Sequence, residues 1–427
     1  MRRLDLRGAS GDLAALLPRP TTPADGPVDA VREIVEAVRD GGDAAVLAFT
    51  AKFDGVTPVA LTLGPDDLAA ALGRISTGLR GALEEAASRI RSYHEAQLPA
   101  DVTVEHPGLS IRGVHRPVER AACYVPGGRA VYPSTVLMTA VPAAVAGVEE
   151  VVVCVPPGPD GAVPDVVLAA AAIAGVCEVI AVGGAQAIAA VAHGTETIRP
   201  VDVIVGPGNV YVALAKQQVA GLVGVPSAFA GPSEVVVVAD GSASAEFAAI
   251  DVIVQAEHGP DGLAWFVSWD EAFTEDVVAE IQRLVTAAPR RAEIESTLAT
   301  GGIAVLCDSP EQAMDVANFV APEHLQLQTA VDDDLLHLVR HAGAIFCGAH
   351  APASLGDYAA GPSHVLPTNG SARFASALTV RDFMKDLHVV RVDSAGLDTL
   401  GDTVETLALA EGLHAHAASV SLRRGRG

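Results

Sequence analysis

The spacing of apolar residues changes character partway along the chain. In the first hundred residues it is helical: Val28, Val31, Val35 and Val38 lie three to four apart, Pro27 suits a first turn, and Gly41-Gly42 supplies a stop. A second helix is expected over 79–97. From about residue 120 the pattern becomes strand, turn, helix. Short apolar runs at 151–155, 179–182, 203–205 and 235–239 predict buried strands, and Ala-rich stretches at 135–146, 165–174, 185–192 and 210–220 predict the helices between them. The alternation resumes with strands at 263–268, 303–306 and 344–346, and with helices at 271–287 and from Pro310. Repeated βαβ units argue parallel sheets, so the expected fold class is α/β with two parallel-sheet domains. The Gly-, Pro-, Ser- and Ala-rich stretch 347–374 reads as a long functional loop, and 403–420 as a tail helix.

Composition sharpens this picture. A chain of 427 residues leans toward two or three domains at roughly 150 residues each. Half the residues are apolar and only 4% aromatic, so the core must be built from Ala, Val, Leu and Ile, which suits helices on buried parallel strands. The net charge of −24 opposes phosphate backbones and anionic lipid, so neither nucleic acid nor a membrane is an expected partner. The opening residues lack the apolar stretch of a signal peptide. The most apolar segment, 166–177, has 12 residues against the ~20 that span a bilayer. A cytoplasmic protein is expected. The five cysteines show no CxxC spacing, so neither a disulfide framework nor a thiolate zinc site is indicated. Cys154 sits in a continuous apolar strand and reads as a buried, inert thiol; a nucleophile there would need a base and access.

Four segments could carry chemistry. In Gln255-Ala256-Glu257-His258-Gly259-Pro260, Gln255 and His258 have the i, i+3 spacing that lets two side chains on one helical face grip a metal, although the segment also reads as a helix C-cap. In Ala321-Pro322-Glu323-His324, adjacent Glu and His offer two bases, or an ordinary helix start with Pro in the first turn. Asp357 and His364 occupy a Gly-Pro-rich loop and are metal-ligand or substrate-binding types, or plain turn formers. Glu411, His414 and His416 lie in the tail, where His414 and His416 face different ways. Gly183-Gly184-Ala185-Gln186 and Gly206-Pro207-Gly208-Asn209 each follow a strand and open a helix, a setting that binds phosphate, but neither is a GxGxxG fingerprint.

Taken in order, YVPGG (124–128), STVLM (134–138), VGGAQAIAA (182–190), VGPGN (205–209), AGPSEV (230–235), QAEHGPD (255–261), PEHL (322–325), GPSHVLPT (361–368) and EGLHAH (411–416) resemble the histidinol dehydrogenase family. The resemblance spans nearly the whole chain, more loosely over the first hundred residues. It implies a zinc-dependent, four-electron oxidation of L-histidinol through L-histidinal to L-histidine with two NAD+, the last step of histidine biosynthesis. The implied zinc ligands, one ion per subunit, are Gln255, His258, Asp357 and His416. His416 is preferred to His414 because the family's tail ligand lies five residues after Glu411. That ligand comes from the partner subunit, so a homodimer with exchanged tails is implied. His324 would take the hydroxyl proton and Glu323 would activate water. Ser233, His364 and Glu411 would hydrogen-bond the substrate, which His324 and the four zinc ligands would also touch. Tyr124, Gln186 and Asn209 match NAD-contacting positions of an incomplete Rossmann-like domain. The implied division is an extension over 1–25, a main α/β domain with the zinc and catalytic residues over 26–123 and 233–378, the NAD domain over 124–232, and a helical C-terminal extension over 379–427.

Overall fold

Two parallel sheets, each sandwiched by helices, organise the chain in a computed structural model that describes residues 1–9, 11–18, 26–128, 130–227, 231, 233–259 and 262–425. Pro232 and Pro260 of the motifs above, residues 19–25 of the expected extension and the last two residues of the basic tail lie outside this set. The first sheet has six strands in the order β1 (Arg2–Asp5), β11 (Gly302–Leu306), β10 (Leu263–Ser268), β9 (Glu234–Ala239), β12 (His324–Gln328) and β13 (Ala344–Cys347), all parallel. Val235, Val237 and Ala239 face α9 (Ala245–Ala256), α10 (Glu271–Ala287) and α11 (Arg291–Thr300). Val236 and Val238 face the opposite layer, α12 (Pro310–Val320) with α1 (Leu13–Leu16) and α13 (Asp332–Leu336).

The second sheet orders β2 (Thr62–Leu63), β7 (Glu178–Ile180), β6 (Glu150–Cys154), β5 (Arg120–Tyr124) and β8 (Val203–Val205); only β2 runs antiparallel. Alternation along β5 feeds two helical layers. Ala121 and Cys123 pack with α3 (Pro65–Arg74), α4 (Thr77–Glu95), α5 (Pro133–Ala146) and α6 (Asp165–Ala174). Ala122 and Tyr124 pack with α2 (Val28–Phe53), α7 (Gly184–His193) and α8 (Val210–Val219). Two-sided burial explains the continuous apolar runs, and small Ala side chains let helices approach the strands closely.

Several expectations are corrected. The helices of residues 28–95 cover both faces of the second sheet through their apolar stripes (Val31, Val38, Leu68, Ile90), and α4 also meets Gly361 and Val365 of the later loop. A boundary at 123/124 would cut β5, and β1, from the expected extension, is an edge strand of the first sheet. Gly42 does interrupt α2 (φ 54°, ψ −140°), but helix resumes directly and runs to Phe53. A three-stranded antiparallel sheet, β3 (Val102–His106), β4 (Leu109–Pro117) and β14 (Met384–Val392), was not anticipated. The tail is two helices, α15 (Ser394–Ala410) and α16 (His414–Arg423), because Gly412 takes φ 73° between them. Arg424 ties them through Asp402 and Glu405 at 2.7 and 3.1 Å. The 347–374 loop contains a short helix, α14 (Ala353–Tyr358), and a 3-10 turn over Ser371–Arg373. Among the described residues no helix is long and apolar enough to cross a membrane.

Candidate active site

At Ala321 the chain leaves α12 in a left-handed conformation (φ 54°, ψ 59°) and enters β12 three residues later. The Pro322-Glu323 segment therefore starts a strand, not a helix, and delivers Glu323 and His324 to the amino end of β12, level with Val235 of β9. His324 is 3% exposed and its ring stacks on Phe346 of β13. Its Nδ1 lies 3.1 Å from the Glu234 carbonyl. A carbonyl only accepts, so Nδ1 carries a proton and Nε2 is left facing Asp357 Oδ1 at 3.3 Å. Burial works to lower the His324 pKa, but the Glu323 and Asp357 carboxylates outweigh it and raise it to about 10. For Asp357, burial acts upward and is overcome by His324, His364 and His258, which hold the carboxyl below its ordinary value. Gly356 lets α14 lie against β13: a Cβ there would meet the Phe346 ring at 2.6 Å.

Helix α9 joins β9 to parallel β10 and so ends back at this amino edge. Gln255 is 2% exposed and its Nε2 has no partner. The helix stops at Ala256, so His258 stands exposed in the turn that follows, its N–H donating to Gln255 O. That turn is fixed by the Thr297 hydroxyl, 2.9 Å from Ala256 O and 2.6 Å from Gly259 O. Ser233 immediately precedes β9, where its carbonyl accepts from Leu263 N. His364 donates from Nδ1 to Asp357 O at 2.8 Å and accepts at Nε2 from the Thr135 hydroxyl at 3.1 Å. The Ser363 hydroxyl donates to Met138 O. Thr135 and Met138 belong to α5, which follows β5. This joint brings the amino edge of the first sheet to the carboxyl edge of the second.

At that carboxyl edge the strand order reverses around β5, between β6 and β8, which opens a crevice. Glycines line it. A Cβ on Gly206 would stand 2.1 Å from Tyr124 O, and on Gly127 or Gly183 2.5 or 2.7 Å from Pro156. The Tyr124 hydroxyl accepts from Gly184 N at 3.0 Å. Gln186 is 1% exposed and its Oε1 has no partner. Asn209 is spent partly as the N-cap of α8, accepting from Tyr211 N and Val212 N. Cys154 is buried, and burial pushes its thiol far above the usual range, which removes it as a nucleophile.

The tail residues are not brought to this site within one chain. Glu411, at the end of α15, and His414 and His416, in the first turn of α16, are all exposed. Among the described residues no three His, Cys, Asp or Glu side chains come together as a metal site. Sequence reasoning also missed Glu234, Thr135 and Phe346. Glu234 alone left a signal: a carboxylate opening an otherwise apolar strand.

A family model described as histidinol dehydrogenase matches residues 17–424. The chain belongs to the histidinol dehydrogenase family. Curated relatives of that name include one from Synechococcus sp., 48% identical over 92% of this chain and 91% of that protein, and one from Methanothermobacter thermautotrophicus, 43% identical over 96% of each. The crystal structure of histidinol dehydrogenase from Elizabethkingia anophelis superposes with a TM-score of 0.93 at 34% identity, covering 99% of this chain and 98% of that one. Membership in this family makes the chain a dehydrogenase and bears out the α/β fold.

The residues present fit both groups that the family resemblance implies. The Gln255 amide is buried with its Nε2 unpartnered, and turning the amide over would put its oxygen in that place; Asp357 and His258 add a carboxylate and an imidazole. Such thiolate-free N/O donors suit Zn2+ and similar divalent ions. The glycine-lined crevice, with the N-termini of α7 and α8 alongside, suits a dinucleotide pyrophosphate, and the unpartnered Gln186 Oε1 can accept from a hydroxyl or amide of such a ligand.

Proposed function

We propose that the chain oxidises L-histidinol through L-histidinal to L-histidine with two NAD+ and one zinc ion per subunit. The observation that carries this reading is the Glu323–His324 pair at one sheet edge, joined through His364 and Thr135 to the glycine-lined edge of the other sheet. Gln255, His258 and Asp357 would hold the metal with His416 of the partner subunit. Tyr124, Gln186 and Asn209 would contact NAD+, Asn209 through the amide nitrogen that capping leaves over. When bound, zinc would act mainly as a template that orients the carbinol carbon, and NAD+ would accept hydride.

The chain's own residues move the protons. His324 takes the hydroxyl proton as the alcohol becomes an aldehyde. With Asp357 committed to a metal, His324 would lose one of the two counter-charges that raise its pKa, which would bring it closer to a working base. Glu323, 9% exposed and adjacent, takes a proton from water as that water adds to the aldehyde. His324, once it has released its first proton to solvent, then deprotonates the hydrate for the second oxidation. Ser233 and His364 would orient the substrate, and Glu411 of the partner subunit would read its cationic or imidazole N–H. Support for a tail-exchanged homodimer comes from the apolar residues the tail leaves uncovered: Leu400, Val404, Leu407, Leu409 and Leu413.

The test is NADH yield from zinc-loaded protein with L-histidinol and excess NAD+. Two NADH per histidinol, abolished by chelation, is expected. One NADH per histidinol would sink the assignment of the aldehyde step to this site, and activity only on another alcohol would sink the substrate.

A further inference from the structure

Glu234 opens β9 and is fully buried. It is locked to the catalytic segment by a reciprocal pair of bonds. Its backbone N donates to Glu323 Oε2 at 3.0 Å, and its own Oε2 accepts from Glu323 N at 3.3 Å. Its other oxygen accepts from Asn369 N at 3.1 Å, in the loop that follows His364. Every one of these side-chain bonds comes from a backbone N–H. A buried carboxylate bound only in this way is costly unless something is gained from the arrangement.

We infer that Glu234 is a positioning residue for the aldehyde-oxidising step: its carboxylate fixes the Glu323 backbone and the 368–369 turn so that Glu323 meets the incoming water. The inference rests on the role proposed above for Glu323. The carboxylate acts on Glu323 and Asn369, whereas His324 is held by the Glu234 main-chain carbonyl, which a side-chain substitution leaves in place. The two oxidation steps are therefore separable at this residue. Burial, then the neighbouring Glu323 charge, push the Glu234 carboxyl up to about 8, against the two backbone N–H bonds and His324, which favour its ionised form, so parent and variant are compared above pH 8.

Glu234→Gln keeps the shape but sets an NH2 group against one of the two N–H donors. In zinc-loaded protein, kcat for L-histidinal should fall about 10–100-fold, the loss expected when a charged hydrogen bond is broken. The alcohol step and the melting temperature should stay close to the parent's, and the NADH yield per histidinol should drop from two toward one as aldehyde escapes. An unchanged yield and kcat would overturn the inference. So would an equal loss in both steps with a lowered melting temperature, which marks simple packing. Should E234Q not fold, Glu234→Asp draws the carboxylate back by one methylene and must show the same one-sided loss; a balanced partition there overturns the proposal. A parent protein that makes no NADH from histidinol would remove the underlying reading as well. An active parent with a balanced variant would remove this inference alone.

Discussion

In the second sheet the strand order turns back at β5, between β6 and β8; in the first it turns back at β9, between β10 and β12. Both sheets thus offer a crevice at their carboxyl ends, yet only the second places its candidate residues there. The first gathers Glu234, Glu323, His324 and Asp357 at its amino end. The difference follows from which helix termini reach each edge. At the carboxyl edge, α5, α7 and α8 begin, and their free N–H groups and positive dipole ends favour an anion. At the amino edge α9 ends, and its carbonyls, negative dipole end and three nearby carboxylates favour a cation. On the function proposed above, sheet edge would select ligand charge: a phosphate-bearing cofactor on one side, a metal and an amine-bearing substrate on the other.

The largest effects should come from the amino edge. His324→Ala should cut both oxidations by about 100–10,000-fold, whereas Glu323→Gln should spare the first, as read from separate assays on alcohol and aldehyde. Equal losses in the two variants would dissolve the division of labour. His416→Ala should cost more in metal affinity than the roughly 10–100-fold of losing an outer-shell partner, while His414→Ala should bind zinc like the parent. Mixing His416→Ala and His324→Ala subunits should restore activity, because one heterodimer site then receives an intact tail and an intact base. No recovery in freshly mixed, exchanged dimers would show that each tail serves its own chain.

Smaller and opposite in character are changes at the carboxyl edge. Tyr124→Phe removes the acceptor for Gly184 N, and leaving that donor without its partner costs about 1–3 kcal/mol. The KM for NAD+ should rise on the order of 5–100-fold on that scale, with zinc content unchanged. Gly206→Ala, whose Cβ would strike the Tyr124 carbonyl, should add a lowered melting temperature. If either variant loses zinc instead, the two edges are not independent.

Strands buried on both faces were readable because short runs of almost wholly apolar residues leave little else possible: 203–205 and 263–268 match to the residue. The antiparallel sheet was not, since β3 is exposed throughout and β14 nearly so, and Glu105, Asp386 and His388 interrupt any apolar period. Glu323 and His324 were legible as a pair but not as a strand start. Pro322 after an Ala in a left-handed turn mimics a helix N-terminus, and pairing with β9 decides otherwise. Domain membership of 28–95 was hidden because an amphipathic stripe says that a helix is buried, not against which sheet. The placement of His416 could not be read from one chain at all.

The finest contrast lies beneath the two edges. The helix-facing sides of the second sheet are almost wholly apolar, but β12 turns His324, Gln326 and Gln328 toward α9, where both glutamine Nε2 groups donate to Asp251. Asp251 stands one turn before Gln255, so this buried cluster ties the proposed metal helix to the catalytic strand. Burial raises the Asp251 carboxyl to about 6 against the hydrogen bonds from Gln328 and Gln326. An acid whose folded pKa exceeds its unfolded value of about 3.9 holds its proton more tightly when folded, so its contribution to stability falls as pH rises from about 4 through 6. Asp251→Asn removes that titration. Its amide can accept from one glutamine and donate to an Oε1 that now lacks a partner. Relative to the parent, its unfolding free energy should be similar near pH 4 and higher by on the order of 1–2 kcal/mol above pH 6, measured by denaturant titration across that range. A difference that stays constant with pH would mean that Asp251 keeps its charge at little cost, and that the amino edge is anionic down to its foundations.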